Sequence, residues 1–99
     1  MTTTHSAGPR VDSPTDLGYF AWRPYWQRTH YPDLGLYVHT AWWTTHRDGE
    51  RACSVVSEGI GNEKPRRYEK DYDPARITVG GLAEAHEAVC ARVEWGELP

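Results

Sequence analysis

The sequence predicts an α+β fold, in which an antiparallel sheet of three to four strands has one C-terminal helix packed on it. Two observations lead to this prediction. The pair Asp48-Gly49 separates two strand-like runs, which is the strongest short-range signal of a β-hairpin. An amphipathic stretch from Leu82 to Trp95 is followed by Gly96, the residue type at which helices commonly end. A length of 99 residues suits a single domain with one core.

The N-terminal residues 1–16 are rich in Thr, Ser, Gly and Pro and have no hydrophobic periodicity. We therefore expect a flexible N-terminal arm there and a single α+β domain over residues 17–99. The aromatic segment from Tyr19 to Trp26 is β-prone, but Pro24 cannot donate a ladder hydrogen bond. This segment is therefore expected to form an edge strand or an extended segment.

The hairpin has a predicted register and two predicted faces. Leu36 to Arg47 is rich in β-branched and aromatic residues, and Arg51 to Ser57 should return beside it. A two-residue loop would place Trp42 opposite Val55. The more aliphatic face, which we assign to the core, then carries Leu36, Val38, Trp42, Cys53 and Val55. The other face carries Tyr37, His39, Ala41, Trp43, Val56 and Glu58.

The C-terminal part of the sequence predicts a long loop and then the helix. Residues 58–74 combine Gly and Pro with alternating charges, which indicates a loop with a short strand near Arg66 to Tyr72. Ala75 to Val79 is a further candidate strand, ended by Gly80-Gly81. The helix face expected to pack on the sheet carries Leu82, Ala85, His86, Val89 and Val93.

Composition limits the classes of function. A net charge of −3 gives no general attraction to phosphate backbones. The sequence has no apolar run of membrane-spanning length and begins with no signal-like leader, so we expect a cytoplasmic protein without a membrane partner. The two cysteines, in no CxxC pair, are expected to be reduced.

The aromatic content is the one compositional hint of binding. Five Trp and six Tyr, against one Phe, are large rings with polar groups that suit interfaces. Either the N-terminal aromatic segment covers the second hairpin face, or part of the rings forms a contact surface. We interpret the protein as a small noncatalytic interaction protein, of a kind that a phage or mobile element encodes, which binds an unidentified protein partner such as a host protein. The predicted contact residues are Tyr37, His39, Trp43, Trp22, Tyr25 and Trp26.

Self-association is part of the same interpretation. A β edge at residues 19–28 or at the hairpin could pair with its own copy and form a two-fold homodimer.

Nucleic-acid binding is an alternative, because the 64–76 segment mixes cations with rings as single-strand-binding surfaces do. The candidate residues are Lys64, Arg66, Arg67, Tyr68 and Lys70. The neighbouring acidic residues nearly neutralise them, which is typical of a solvated loop.

A small zinc protein is another alternative. In the predicted register four ligands, His46, Cys53, His86 and Cys90, could converge between hairpin and helix. They lack the close spacings of most zinc sites. A nucleophilic cysteine, Cys53 or Cys90 activated by His39, His46 or His86, has no orienting acid or oxyanion motif beside it. We therefore predict no catalytic residues and no cofactor.

Overall fold

The computed structural model describes residues 7–14, 16–20, 23–47, 49–60 and 64–98, and has the predicted α+β architecture of an antiparallel sheet and one C-terminal helix. The elements are β1 (Val11–Asp12), β2 (Asp16–Phe20), β3 (Arg23–Tyr31), β4 (Leu36–Thr45), β5 (Gly49–Ser57), β6 (Arg66–Tyr72) and α1 (Val79–Glu94). Both β1 and β2 pair with β3, so the strands occupy five positions, arranged in chain order. The predicted number of three to four strands is therefore too small.

The sheet is wider than predicted because residues from the expected arm join it. Val11 lies opposite His30 in the β1–β3 pair, and the Ser13 amide donates a hydrogen bond of 2.9 Å to the Arg28 carbonyl. The described structure thus begins before Leu17. The segment from Tyr19 to Trp26 is divided between two strands. Tyr19 and Phe20 end β2, whereas residues 23–26 begin β3, which lies inside the sheet between β2 and β4 and is not the predicted edge.

Pro24 is tolerated in this interior strand because it lies outside the regular ladders. The β2–β3 register shifts where Pro24 falls, and the β3–β4 ladder begins only at Tyr25. The missing amide proton of proline therefore costs no ladder hydrogen bond.

The β4–β5 hairpin forms where Asp48-Gly49 predicted it, but with another register. Thr45 lies opposite Gly49, so three residues connect the strands; of these, Asp48 lies outside the described residues. Gly49 has a φ of 73°, which glycine adopts without strain. The predicted two-residue loop is wrong.

This register reverses the predicted faces of β5. Ala41, and not Thr44, lies opposite Cys53, which is an odd shift of three positions, and an odd shift moves every side chain of a strand to the other face. Val56 is therefore buried under α1, whereas Cys53 and Val55 lie on the opposite face. The faces predicted for the β4 residues are confirmed.

Helix α1 begins and ends with regular caps. Thr78 is the N-cap, and its hydroxyl accepts a hydrogen bond of 2.9 Å from the Gly81 amide. The predicted strand over residues 75–79 is therefore wrong. At the other end Gly96 has a φ of 68° and donates to the Val93 carbonyl, while Glu97 donates to Arg92. This is a Schellman motif, as Gly96 predicted.

One face of the sheet and the inner face of α1 form the core. The helix buries the side chains of Leu82, His86, Val89, Cys90 and Val93, so the predicted packing face is confirmed for four of its five residues, Ala85 being half-buried. Tyr25, Ala52 and Leu82 form one apolar cluster, and a second one lies around Val38 and Val56.

A chain of polar side chains runs through this core, with His86 at its centre. His86 Nε2 is 2.9 Å from the Thr29 hydroxyl, and Nδ1 is 2.8 Å from the Thr40 hydroxyl. Thr40 is 2.7 Å from Ser54, which also accepts a hydrogen bond of 2.9 Å from the Tyr72 hydroxyl.

Proton counting fixes the direction of this chain. Thr29 donates its one hydroxyl proton to Asp12, so it accepts from His86, which therefore carries a proton on Nε2. Nδ1 then accepts from Thr40, which accepts from Ser54. Burial lowers the pKa of His86 to about 4, in keeping with a neutral ring.

Arg10 ties the N-terminal strand to the helix. Its guanidinium donates to Glu87 at 3.0 Å and to Asp12 at 3.0 Å, and it lies 3.5 Å from Glu94. The segment before β1 is thus held against α1. Within the described residues, no helix is long and apolar enough to span a bilayer.

Candidate functional site

The candidate site is the face of the sheet that points away from α1, here called the open face. No described helix or strand packs on it, because α1 contacts the other face. Three rows of side chains cross it from β3 to β6: Trp26, Ala41, Cys53 and Asp71; Arg28, His39, Val55 and Glu69; and His30, Tyr37, Ser57 and Arg66. Trp43 and Arg51 form a further pair at one end.

Rings and cations of the open face contact one another. The Arg28 guanidinium lies 5.0 Å from the centroid of Trp26, and that of Arg51 lies 5.7 Å from the centroid of Trp43. His30 and Tyr37 stack with centroids 4.0 Å apart. These contacts hold the half-buried side chains in defined positions on the free surface.

A hollow of about 260 Å³ lies over the middle of this face. Its floor is formed by the facing pair Ala41 and Cys53, whose small side chains lie among large ones. The walls include His39, Trp43, Arg51, Val55, Arg66 and Glu69.

Charges are distributed unevenly over the open face. On the β6 side, Arg66 pairs with Glu69 at 2.9 Å and Arg51 pairs with Asp71 at 3.4 Å. On the β3 side, Arg28 contacts the ring of Trp26 and pairs with no carboxylate among the side chains that the structure describes.

His39 is the polar group of this face that lacks a partner. Its Nε2 atom is buried and forms no hydrogen bond with the described residues. Burial, and then the charges of Arg28 and Arg66, lower the pKa of His39 to about 4. The ring is therefore neutral at pH 7.

The pKa values argue against a nucleophilic site. Burial, and then the nearby Glu69 and Asp71, raise the pKa of Cys53 to about 11. A thiol with this pKa does not give its proton to His39, whose pKa is about 4. Burial also raises the pKa of Cys90, and both nitrogens of the nearby His86 are already hydrogen-bonded to threonines.

The predicted zinc ligands are not brought together. His86 and Cys90 lie on the inner face of α1 and are buried against the sheet, Cys53 lies on the open face, and His46 is exposed in the hairpin turn. They are kept apart because the register of β5 is shifted by three positions from the predicted one, which moves Cys53 to the open face.

The only described trio of metal-ligand type is Cys53, Glu69 and Asp71, whose ligand atoms lie within 4.8 Å of one another. Both carboxylates of this trio already pair with arginines.

The predicted nucleic-acid residues are divided between surfaces. Arg66 lies on the open face, paired with Glu69, while Arg67 pairs with Glu58. Tyr68 lies on the helix side and accepts a hydrogen bond of 3.1 Å from Arg92. Lys70, opposite Ser54, is on the helix side as well, and Lys64 is exposed before β6.

Four of the predicted partner-binding residues share the open face: Trp26, Tyr37, His39 and Trp43. Tyr25 is only 1% exposed and belongs to the core, because its side chain alternates with that of Trp26. Trp22 lies outside the described residues.

Sequence reasoning missed Arg28 and Arg51 at this site. The same alternation, which places Arg28 beside Trp26, would have revealed the first. The correct hairpin register would have revealed the second.

Comparisons with known proteins give no further guide: no protein-family model, no curated protein and no solved structure shows a significant match to this chain.

Proposed function

We propose that this chain is a noncatalytic interaction protein that binds a partner protein through the open face. The observation that carries the proposal is the set of half-buried rings and guanidinium groups on a sheet face that no described helix or strand covers. Tryptophan, tyrosine and arginine are the residues that contribute most to protein interfaces.

The charges favour a partner segment that is acidic as well as apolar. Arg28 has no carboxylate partner among the described residues, so an aspartate or glutamate of the partner could pair with it. Such a pair would lie beside Trp26 and be partly shielded from water.

A protein partner fits better than single-stranded nucleic acid. Glu69 and Asp71 on the β6 side would repel phosphates. The ring of Trp26 is already contacted by Arg23 and Arg28, and that of Trp43 by Arg51, which leaves less of each ring to stack on a base.

The test compares two Trp→Ala variants as affinity baits. Trp43→Ala removes a ring of the open face, whereas Trp95→Ala removes a ring that is 61% exposed at the end of α1. Each protein captured by the wild type is then purified and titrated against all three forms by calorimetry. We expect Trp43→Ala to weaken the complex by about tenfold or more, and Trp95→Ala to leave it unchanged.

The amide chemical shifts of this chain, compared with and without the purified partner, locate the binding surface. They should change along β3, β4 and β5 at the residues of the open face. A complex that tolerates Trp43→Ala but is lost with Trp95→Ala would contradict the proposal, as would binding of a single-stranded oligonucleotide with steep salt dependence in the absence of any protein partner.

A further inference from the structure

We propose that the hollow of the open face receives one uncharged aromatic side chain of the partner, an inference that rests on the proposed function and names the group recognised. The hollow is part of the described structure and is bounded by residues of β4, β5 and β6 together with Gly59.

Its size fits a single side chain. A volume of about 260 Å³ lies below the roughly 300–1,000 Å³ of pockets that hold drug-sized ligands. The depression exists because Ala41 faces Cys53 at the centre of the sheet, while Trp43 and His39 stand on either side of Ala41 along β4.

Its floor is uncharged. Ala41 carries no polar side-chain atom, the Cys53 thiol is uncharged at neutral pH, and Val55 adds an aliphatic wall beside them. Water over such a floor is displaced favourably by an apolar group.

The charged groups of its walls are already paired. Arg66 pairs with Glu69 at 2.9 Å and Arg51 with Asp71 at 3.4 Å, so a charged side chain would have to compete with these pairs. A neutral group can enter without breaking the ion pair between Arg66 and Glu69.

Two guanidinium groups favour a ring over an aliphatic group. Arg51 and Arg66 both line the hollow, and Arg51 already lies at contact distance from one ring, that of Trp43. An entering aromatic ring would meet these cations with the negative face of its π-system, a contact that an aliphatic side chain cannot make.

A free ring probe tests this inference without the partner. We would titrate p-cresol, which is the side chain of tyrosine, against isotope-labelled protein and follow the methyl and amide signals of Ala41 and Val55 by NMR. We expect saturable shifts confined to the hollow, with a dissociation constant of about 1 mM, which is ordinary for so small a ligand. The saturated analogue 4-methylcyclohexanol should bind about two- to fivefold more weakly, because it lacks the cation–π contact.

A larger side chain that fills the hollow should weaken p-cresol binding. Ala41→Leu adds bulk at the floor and is expected to weaken p-cresol binding by about tenfold or more, while Ala91→Leu, the same change on the exposed side of α1, should leave it unchanged. If Ala41→Leu does not fold, Arg66→Gln replaces it, with Arg76→Gln at an 88% exposed side chain as its control. Arg66→Gln should weaken p-cresol binding about two- to fivefold.

Three outcomes would overturn the inference: shifts spread evenly over the surface, equal affinity for the two probes, or binding that survives both Ala41→Leu and Arg66→Gln. A partner complex that is lost with Trp43→Ala but retained with Ala41→Leu would also overturn it while leaving the proposed function intact. Conversely, p-cresol binding in the hollow without any partner complex would support the hollow and count against the function.

Discussion

Each face of the sheet has one neutral histidine near its centre, and the two differ in the hydrogen bonds that their ring nitrogens form. His86, over the covered face, has both ring nitrogens in hydrogen bonds to buried threonines. His39, on the open face, has a buried Nε2 atom with no partner among the described residues. The histidine of the covered face is therefore satisfied within the fold, whereas that of the open face keeps unused bonding capacity. On the covered face the buried Nε1 atom of Trp42 also has no partner among the described residues. Under the proposed function, the first face serves stability and the second is the one that binds the partner.

The largest expected effect is the difference between the losses of stability caused by replacing the two histidines. His86→Ala leaves the Thr29 and Thr40 hydroxyls buried without their central partner and opens a cavity, so we expect a loss of about 3 to 5 kcal/mol in the free energy of unfolding. His39→Ala removes a half-buried ring with an unpaired nitrogen and should cost about 1 kcal/mol or less. Urea denaturation followed by tryptophan fluorescence measures both. Equal losses would remove the distinction between the faces.

A smaller loss of stability is expected when the pH is lowered, and the histidines of both faces should contribute to it. The pKa of each histidine falls from 6.5 to about 4 on folding, so the unfolded chain binds more protons between these values. The contribution of each neutral histidine to the free energy of unfolding is therefore complete above about pH 6.5. Below that pH the free energy of unfolding should fall, by up to about 1.4 kcal/mol per pH unit for each ring. Asp12 and Glu87 have lowered pKa values, so their contribution to stability is present above the ordinary carboxyl pKa values of 3.8 and 4.5 and is lost as the pH falls below them.

Urea denaturation at several pH values down to about pH 5 measures this slope. His39→Gln should remove the contribution of the open face and retain that of His86. A slope unchanged by this substitution would mean that the open-face histidine is not held neutral.

The smallest expected effect is on the rates at which the two cysteines are alkylated. The Cys53 pKa of about 11 predicts alkylation by iodoacetamide about a hundredfold slower than for free cysteine at neutral pH. Cys90 is 0% exposed and should react only when α1 opens. Mass spectrometry at successive times should therefore find Cys53 modified first. Modification of Cys90 first would contradict the assignment of Cys53 to the open face.

The fold was predictable from the sequence where local chemistry decides it. The hairpin, the apolar face of α1 and the Gly96 cap each rest on residues close together in the chain. The charged segment of β6 could be predicted only as a short strand within a loop, because an edge strand of alternating charges resembles a loop in composition.

The site was less predictable because it depends on register. An Asp-Gly pair favours a two-residue turn, but a three-residue turn also accommodates it, and the two turns place Cys53 on opposite faces. The membership of β1 and β2 in the sheet had no apolar alternation to indicate it. It depends on backbone pairing with β3, as between Val11 and His30.

The chain-order arrangement of the strands has a kinetic consequence. Every β-pairing joins strands that are neighbours or near neighbours in sequence, so the sheet can assemble by closing short loops in succession. By contrast, the pairing of Arg10 with Glu87 joins residues 77 positions apart and can form only when α1 docks. We therefore expect the sheet to form early and the helix to dock last. Until that step both faces are uncovered, and the tyrosines of the future core are as open to wrong associations as the rings of the open face.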